Sequence, residues 1–219
     1  MNFSSFWLNL TLDRDRVCLK RNVYERVLDE IGNAIRKSKA KLGNMEELPS
    51  ELVDQIVDDE TEAIEYLLGT AFVLCQAYMT YVVSTVVSLH KFANSKNIQL
   101  KTTTNKKQDV LKFGYKGDGC SPAEVIDGFA NYFKHRDEWI ANWQKLPERN
   151  QKTVQIIQSA GAEQYCTGNL RQGSIALGNP NFAETGIFLD KLEQWHLDLI
   201  DAYRAEFDKV LTLESSDSH

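Results

Sequence analysis

The chain has few of the residues that interrupt or staple a fold. Four prolines and twelve glycines are spread over 219 residues, and no long stretch alternates apolar with polar side chains. A β-sandwich or barrel, which needs many short alternating strands parted by turn residues, is therefore excluded. Cysteine is equally sparse. Cys18, Cys75, Cys120 and Cys166 stand far apart, with no CxxC pair and no histidine at zinc-finger spacing, so reduced thiols in a cytoplasmic setting are expected and a disulfide scaffold is not. The remaining histidines, His90, His196 and His219, have no metal-ligand spacing, so neither metal nor cofactor is expected. Nor is there a basic excess. A net charge of -6 argues against a protein that coats nucleic acid non-specifically, while leaving room for a local basic patch. The first residues, MNFSSFWLNLTLDR, lack the positive start and small-residue cleavage site of a secretory leader.

What the chain does have is helical periodicity. A first helix is expected from near Asp13 to Lys41, with Val17, Tyr24, Leu28, Ile31 and Ile35 facing inward and Gly43 placed to end it. Ser50 is expected to cap a second helix that continues to about Ala93. Its stretch from Leu67 to Leu89 carries no charge and is long enough to span a bilayer. The acidic approach of Asp58, Asp59, Glu60, Glu62 and Glu65 instead suits the solvated first turns of a buried bundle helix, so no membrane contact is expected. Gln76, Thr80, Ser84 and Ser88, spaced by four, form a small polar stripe suited to close helix–helix contact.

From Asn94 to Cys120 the pattern breaks into a long loop, with a short hairpin expected around VLKFGYKG. Lys96, Lys101, Lys106, Lys107, Lys112 and Lys116 make it a basic island in an acidic chain. Ser121, Pro122 and Glu124 then supply the N-cap, first-turn proline and capping box of a helix expected to reach Trp143 or Lys145. A short helix should follow Pro147 and close at Gly161. CTGNLRQGSIALGNPNF reads as turns, and a last helix from Ala183 to Leu213 presents Phe188, Leu192, Trp195, Leu199, Tyr203 and Phe207 as a core stripe. Residues 1–213 thus read as a single helical domain and 214–219 as a disordered tail.

On the helix after Ser121, Val125, Phe129, Tyr132, Phe133, Ile140 and Trp143 share one side. Glu124, Asp127, Asn131, Lys134, His135, Glu138 and Asn142 share the other. Asn131 and His135, four apart, are placed to orient a hydroxyl and move a proton. Arg136 points into the apolar side, where a guanidinium needs an acid such as Glu65 or Asp190. Trp139 and Trp143 are expected as core or dimer-interface anchors.

The stretch ANYFKHRDEW resembles the signature helix of the HEPN superfamily, whose motif is an arginine, four residues of which the first is often a polar Asn, and then histidine. On this chain the histidine is His135, the polar residue is Asn131, and the arginine position holds Ala130. The resemblance implies an up-down helical bundle with a long loop before the motif helix. It also implies a homodimer that brings two such helices together, and metal-independent RNA cleavage with Asn131 and His135 as catalytic residues, in a bacterial stress or phage-defence setting. Lys134, Arg136, Lys106 and Lys107 are the candidate RNA contacts, and a regulatory protein partner fits the same setting. Alanine cannot stabilise the charge of a phosphorane, so any cleavage is expected to be weak. The alternative is a non-catalytic helical module for dimerisation or partner binding.

Overall fold

The computed structural model describes residues 3–45, 48–117, 119–140 and 142–216, and the side chains within 21–45, 48–117, 119–139 and 142–209. The side chains of Val17 and Ile140 and tail residues 217–219 lie outside what is described. The protein is all-α. Seven α-helices and two short 3₁₀ turns follow one another: α1 (Phe3–Leu42), α2 (Ser50–Ser95), α3 (Lys107–Lys112), α4 (Pro122–His135), α5 (Glu148–Ser159), α6 (Asn169–Ala176) and α7 (Gly186–Ser216). The 3₁₀ turns, Glu138–Ile140 and Trp143–Lys145, lie between α4 and α5.

Cross-helix contacts fix the directions. Lys41 meets Glu60 while Tyr24 meets Tyr78 edge-on at 5.8 Å, so α1 and α2 are antiparallel. Phe72 stacks on Phe129 at 5.4 Å and Tyr66 meets Phe133 at 5.9 Å, which sets α4 antiparallel to α2. Arg21 pairs with Asp190 and Arg36 with Glu184, which sets α7 antiparallel to α1. The four long helices therefore alternate up and down around α2. By length and composition alone α2 could cross a membrane, yet half of its most apolar 18-residue window is buried inside the chain. Leu68, Phe72, Cys75, Met79 and Leu89 are fully enclosed, and burying each large apolar side chain contributes about 1.5–3 kcal/mol. On α1 Leu28, Ile31 and Ile35 are buried, as is the whole expected stripe of α7 from Phe188 to Phe207.

Thr80, Ser84 and Ser88 of the small polar stripe do not join helices together. All three are exposed, and Thr80 and Ser88 donate their hydroxyls back to the carbonyls of Gln76 and Ser84. Only Gln76 is buried against a neighbour. A tight approach on α2 comes about two turns earlier, where a Cβ on Gly69 would sit 2.1 Å from the Phe133 ring.

Three local expectations are corrected. Where the hairpin was expected, Lys107–Lys112 forms a helical turn that sends Val110 and Leu111 into the core, and Trp195 Nε1 donates to the Val110 carbonyl at 3.0 Å. Within the stretch expected to be turns, α6 is helical. Its N-cap, Gly168, has no side chain to offer, and the buried carboxylate of Glu65 caps it from α2, accepting from the backbone N–H of Leu170 at 3.0 Å and of Arg171 at 3.3 Å. Finally, α4 stops at His135 rather than reaching Trp143. Tyr132, Arg136, Trp139 and Trp143 would share one face of an unbroken helix, driving a guanidinium into an aromatic core. Breaking the helix separates them: Trp139 and Trp143 fold in around Tyr132, with ring centroids 6.2 and 6.1 Å from it, and Arg136 turns elsewhere.

The other end of α4 follows the sequence signals. Ser121 Oγ accepts from Glu124 N at 3.1 Å, Glu124 accepts from Ser121 N at 3.0 Å, and the serine hydroxyl donates to Leu111 O at 2.7 Å.

Two buried histidine–tyrosine pairs register α2 against α7: Tyr78 with His196 and His90 with Tyr203, both at 2.9 Å. Burial holds His90 below its ordinary value of 6.5, with Glu206 pulling the other way, and pushes the Tyr203 phenol up to about 12. A histidine whose folded pKa is depressed favours the folded state above its unfolded pKa and loses that contribution as pH falls through the folded one. The melting temperature should therefore hold above the ordinary histidine value of 6.5 and decline as the pH falls below it. His90→Gln, which keeps an acceptor for Tyr203, should flatten that decline. An unchanged acid slope in the variant would show that His90 does not carry it.

Candidate functional site

The motif residues sit on α4 where it crosses α2, and most of them are already engaged. Ala130, at the arginine position of the motif, has 0% exposure and lies in the core. Asn131 Oδ1 accepts from Gln76 Nε2 at 3.0 Å, and the same amide nitrogen donates to Asp127 Oδ1 at 2.6 Å. Lys134 Nζ donates to Gln76 Oε1 at 2.7 Å, and Lys107 Nζ reaches the Asp127 carboxylate at 2.8 Å. One α2 amide is thus clamped by Asp127, Asn131 and Lys134, with Lys107 ending the chain of contacts. Desolvation lowers the pKa of Lys134, with Asp127 opposing and Lys107 adding to the shift.

His135 points away from this network. Its side chain is 47% exposed, its Nδ1 lies 3.3 Å from Glu138 Oε2, and its ring stacks on Trp139 with centroids 6.3 Å apart. The sequence pairing of Asn131 with His135 is therefore divided: the amide is held in the α2–α4 contact and the imidazole sits beside the turn that follows α4. Lys106 opens α3, where its backbone N–H donates to Thr104 Oγ1 at 3.1 Å, and its side chain is exposed.

Arg136 is the motif neighbour that faces open space. It meets neither of the acids expected for it. Glu65 pairs with Arg171 Nε at 3.1 Å, and Asp190 pairs with Arg21. Its guanidinium instead lies 4.2 Å above the Tyr66 ring and 5.1 Å from the Phe133 ring. Among the described residues the only carboxylate in range is Asp137, 3.9 Å from Nε and 93% exposed, and Arg136 makes no hydrogen bond. It lines a cleft of about 560 Å³ where α2, α4 and the entry to α6 meet, together with Asp58, Glu62, Tyr66, Tyr132 and Cys166.

Burial raises the Glu65 pKa, opposed by the α6 N–H groups and Arg171, and burial likewise raises the Tyr132 phenol, which accepts from Asn169 Nδ2 at 3.1 Å. Glu163 pushes the Cys166 thiol up, which leaves it a poor nucleophile near neutrality. Among the described residues no three His, Cys, Asp or Glu side chains converge as a metal-binding group.

The cleft was only half legible in the sequence. Arg136 stood out as a cation on an apolar face, but Tyr66, Glu62 and Cys166 carry no local signal that draws them to it. Comparison of the chain with protein-family models, with curated proteins and with solved structures finds no match.

The Gln76 clamp should behave as structure. Gln76→Ala removes its three side-chain partners at once and leaves Asp127 and Asn131 facing a gap, so urea unfolding should show a loss of about 1–3 kcal/mol. Asn131→Ala, which leaves Gln76 bonded to Asp127, should cost less. Equal midpoints for all three proteins would show that the network contributes no stability.

Proposed function

We propose that this chain is a non-catalytic binding protein on a HEPN-like up-down bundle, working in the bacterial cytoplasm through the face where α4 ends. The observation that carries this reading is Ala130. Enclosed completely at the position where the motif needs a cation, it can be replaced by arginine only by burying an unpaired charge. Asn131 adds to it, because its Oδ1 already accepts from Gln76 and is not free to accept from a ribose hydroxyl. The aromatic side chains that would have served a motif-to-motif dimer, Phe129, Trp139 and Trp143, are buried within the same chain. Of the lysines named for RNA, Lys107 is paired with Asp127 and Lys134 is bonded to Gln76, while Lys106 stays exposed. The guanidinium of Arg136 makes no hydrogen bond among the described residues, and the cleft it lines is the binding face of this reading.

Single-turnover incubation of a mixed-sequence RNA with EDTA present separates this from weak RNA cleavage in a stress or phage-defence role. No cleavage is expected from the parent, His135→Ala or Ala130→Arg. Ala130→Arg should instead lose several kcal/mol of stability, on the order of the cost of an unpaired buried charge. Metal-independent cleavage by the parent that disappears in His135→Ala would overturn the non-catalytic reading, because a general acid–base group is worth about 10²–10⁴-fold.

A further inference from the structure

We propose that the cleft between α2, α4 and the entry to α6 binds a small peptide zwitterion, with its carboxylate on Arg136 and its ammonium on the acidic rim of α2. This rests on the reading of the chain as a binding protein. Arg136 is the anchor. Its side chain is 22% exposed and stacked over Tyr66, and among the described residues none of its guanidinium donors is hydrogen-bonded. A planar cation fixed on an aromatic face with its donor fork unspent is organised in advance for a carboxylate. The neighbouring acid does not use it up, because Asp137 touches only Nε, at 3.9 Å, from a fully solvated side chain. Glu65, which also lines the cleft, is occupied by Arg171 and the start of α6.

The rim decides the rest of the ligand. Asp58 and Glu62 line the same cleft from α2, so a bare anion on Arg136 would face two carboxylates and be disfavoured. A ligand that also carries an ammonium turns that repulsion into attraction. Tyr66, Glu62 and Asp58 are each four residues apart on one helix, and four residues advance about 6 Å. The ammonium therefore has to reach about 6–12 Å along α2 from the level of Arg136. A free amino acid carries both charges on one carbon and is too short. Three extended residues span about 10 Å, which fits.

The test uses triglycine with the full-length protein, followed by NMR titration, beside N-acetyl-triglycine, triglycinamide and inorganic phosphate. A ligand of this size is expected to saturate with a Kd of about 1 mM, and blocking either end should weaken binding about tenfold or more. Glu62→Gln, at an exposed position, should abolish the preference for a free amine. Arg136→Gln should abolish the preference for a free carboxylate, and melting curves for both variants check that the fold is retained. The proposal is overturned if triglycine fails to saturate, if the blocked peptides bind as well as the free one, if phosphate binds more tightly, or if neither variant alters the preferences. RNA cleavage in the EDTA assay would remove the non-catalytic reading while leaving a positive titration intact. Failure of triglycine to bind would remove the ligand assignment alone.

Discussion

The uncharged run of α2 from Leu67 to Leu89 has to be covered, and the rest of the molecule is arranged to cover it. Helices α1, α4, α6 and α7 all pack on α2, and its apolar side chains from Leu68 to Leu89 form the middle of one continuous core. Apolar contact has no direction and would let those neighbours slide or rotate. Polar atoms buried in the same surface supply the register. Gln76 locks α4, Tyr78 and His90 lock α7, and Glu65 locks α6, each through hydrogen bonds that would be costly to leave unmade at that depth. Thr80 and Ser88, on an exposed side of α2, show the converse: their hydroxyls satisfy themselves on their own helix.

Much of this could be read from the residues. The capping box of Ser121 and Glu124 forms in full, and the inward stripes of α1 and α7 are buried wherever side chains are described, apart from half-buried Tyr24, whereas Ser50, expected as a cap, is the first helical residue of α2 behind Pro49 and makes no cap hydrogen bond. These features are local: a cap is set by three or four residues and a stripe by its period. Two of the failures depend on residues distant in sequence. The cap of α6 belongs to Glu65, 105 residues away. The turn at Lys107–Lys112 is held by Trp195 of α7 rather than by a partner strand. Asn131 was legible as a polar residue on an accessible-looking helix face, but nothing near it announced that Gln76 would take it.

The motif helix shows why a resemblance of side chains need not carry a resemblance of chemistry. The same spacing that stacks an amide above an imidazole for work on a ligand also lets the amide clamp a neighbouring helix while the imidazole stacks on the next turn. The packing of position 130 separates the two uses. A large cation there requires open space, and α4 at that point is enclosed.

The open guanidinium and the packed tryptophans have one origin. Had α4 continued past His135, Arg136 would have shared a face with Tyr132, Trp139 and Trp143. Either the charge would have been buried or the tryptophans would have stayed in water, and both are costly. The break lets the tryptophans fold in while Arg136 turns onto Tyr66 of α2, where a second aromatic, Phe133, fits because Gly69 leaves room for its ring. The cation of the cleft is thus held in place by core packing rather than by an ion pair. With aromatic faces for support and no carboxylate closer than 3.9 Å, its hydrogen-bonding edge stays available.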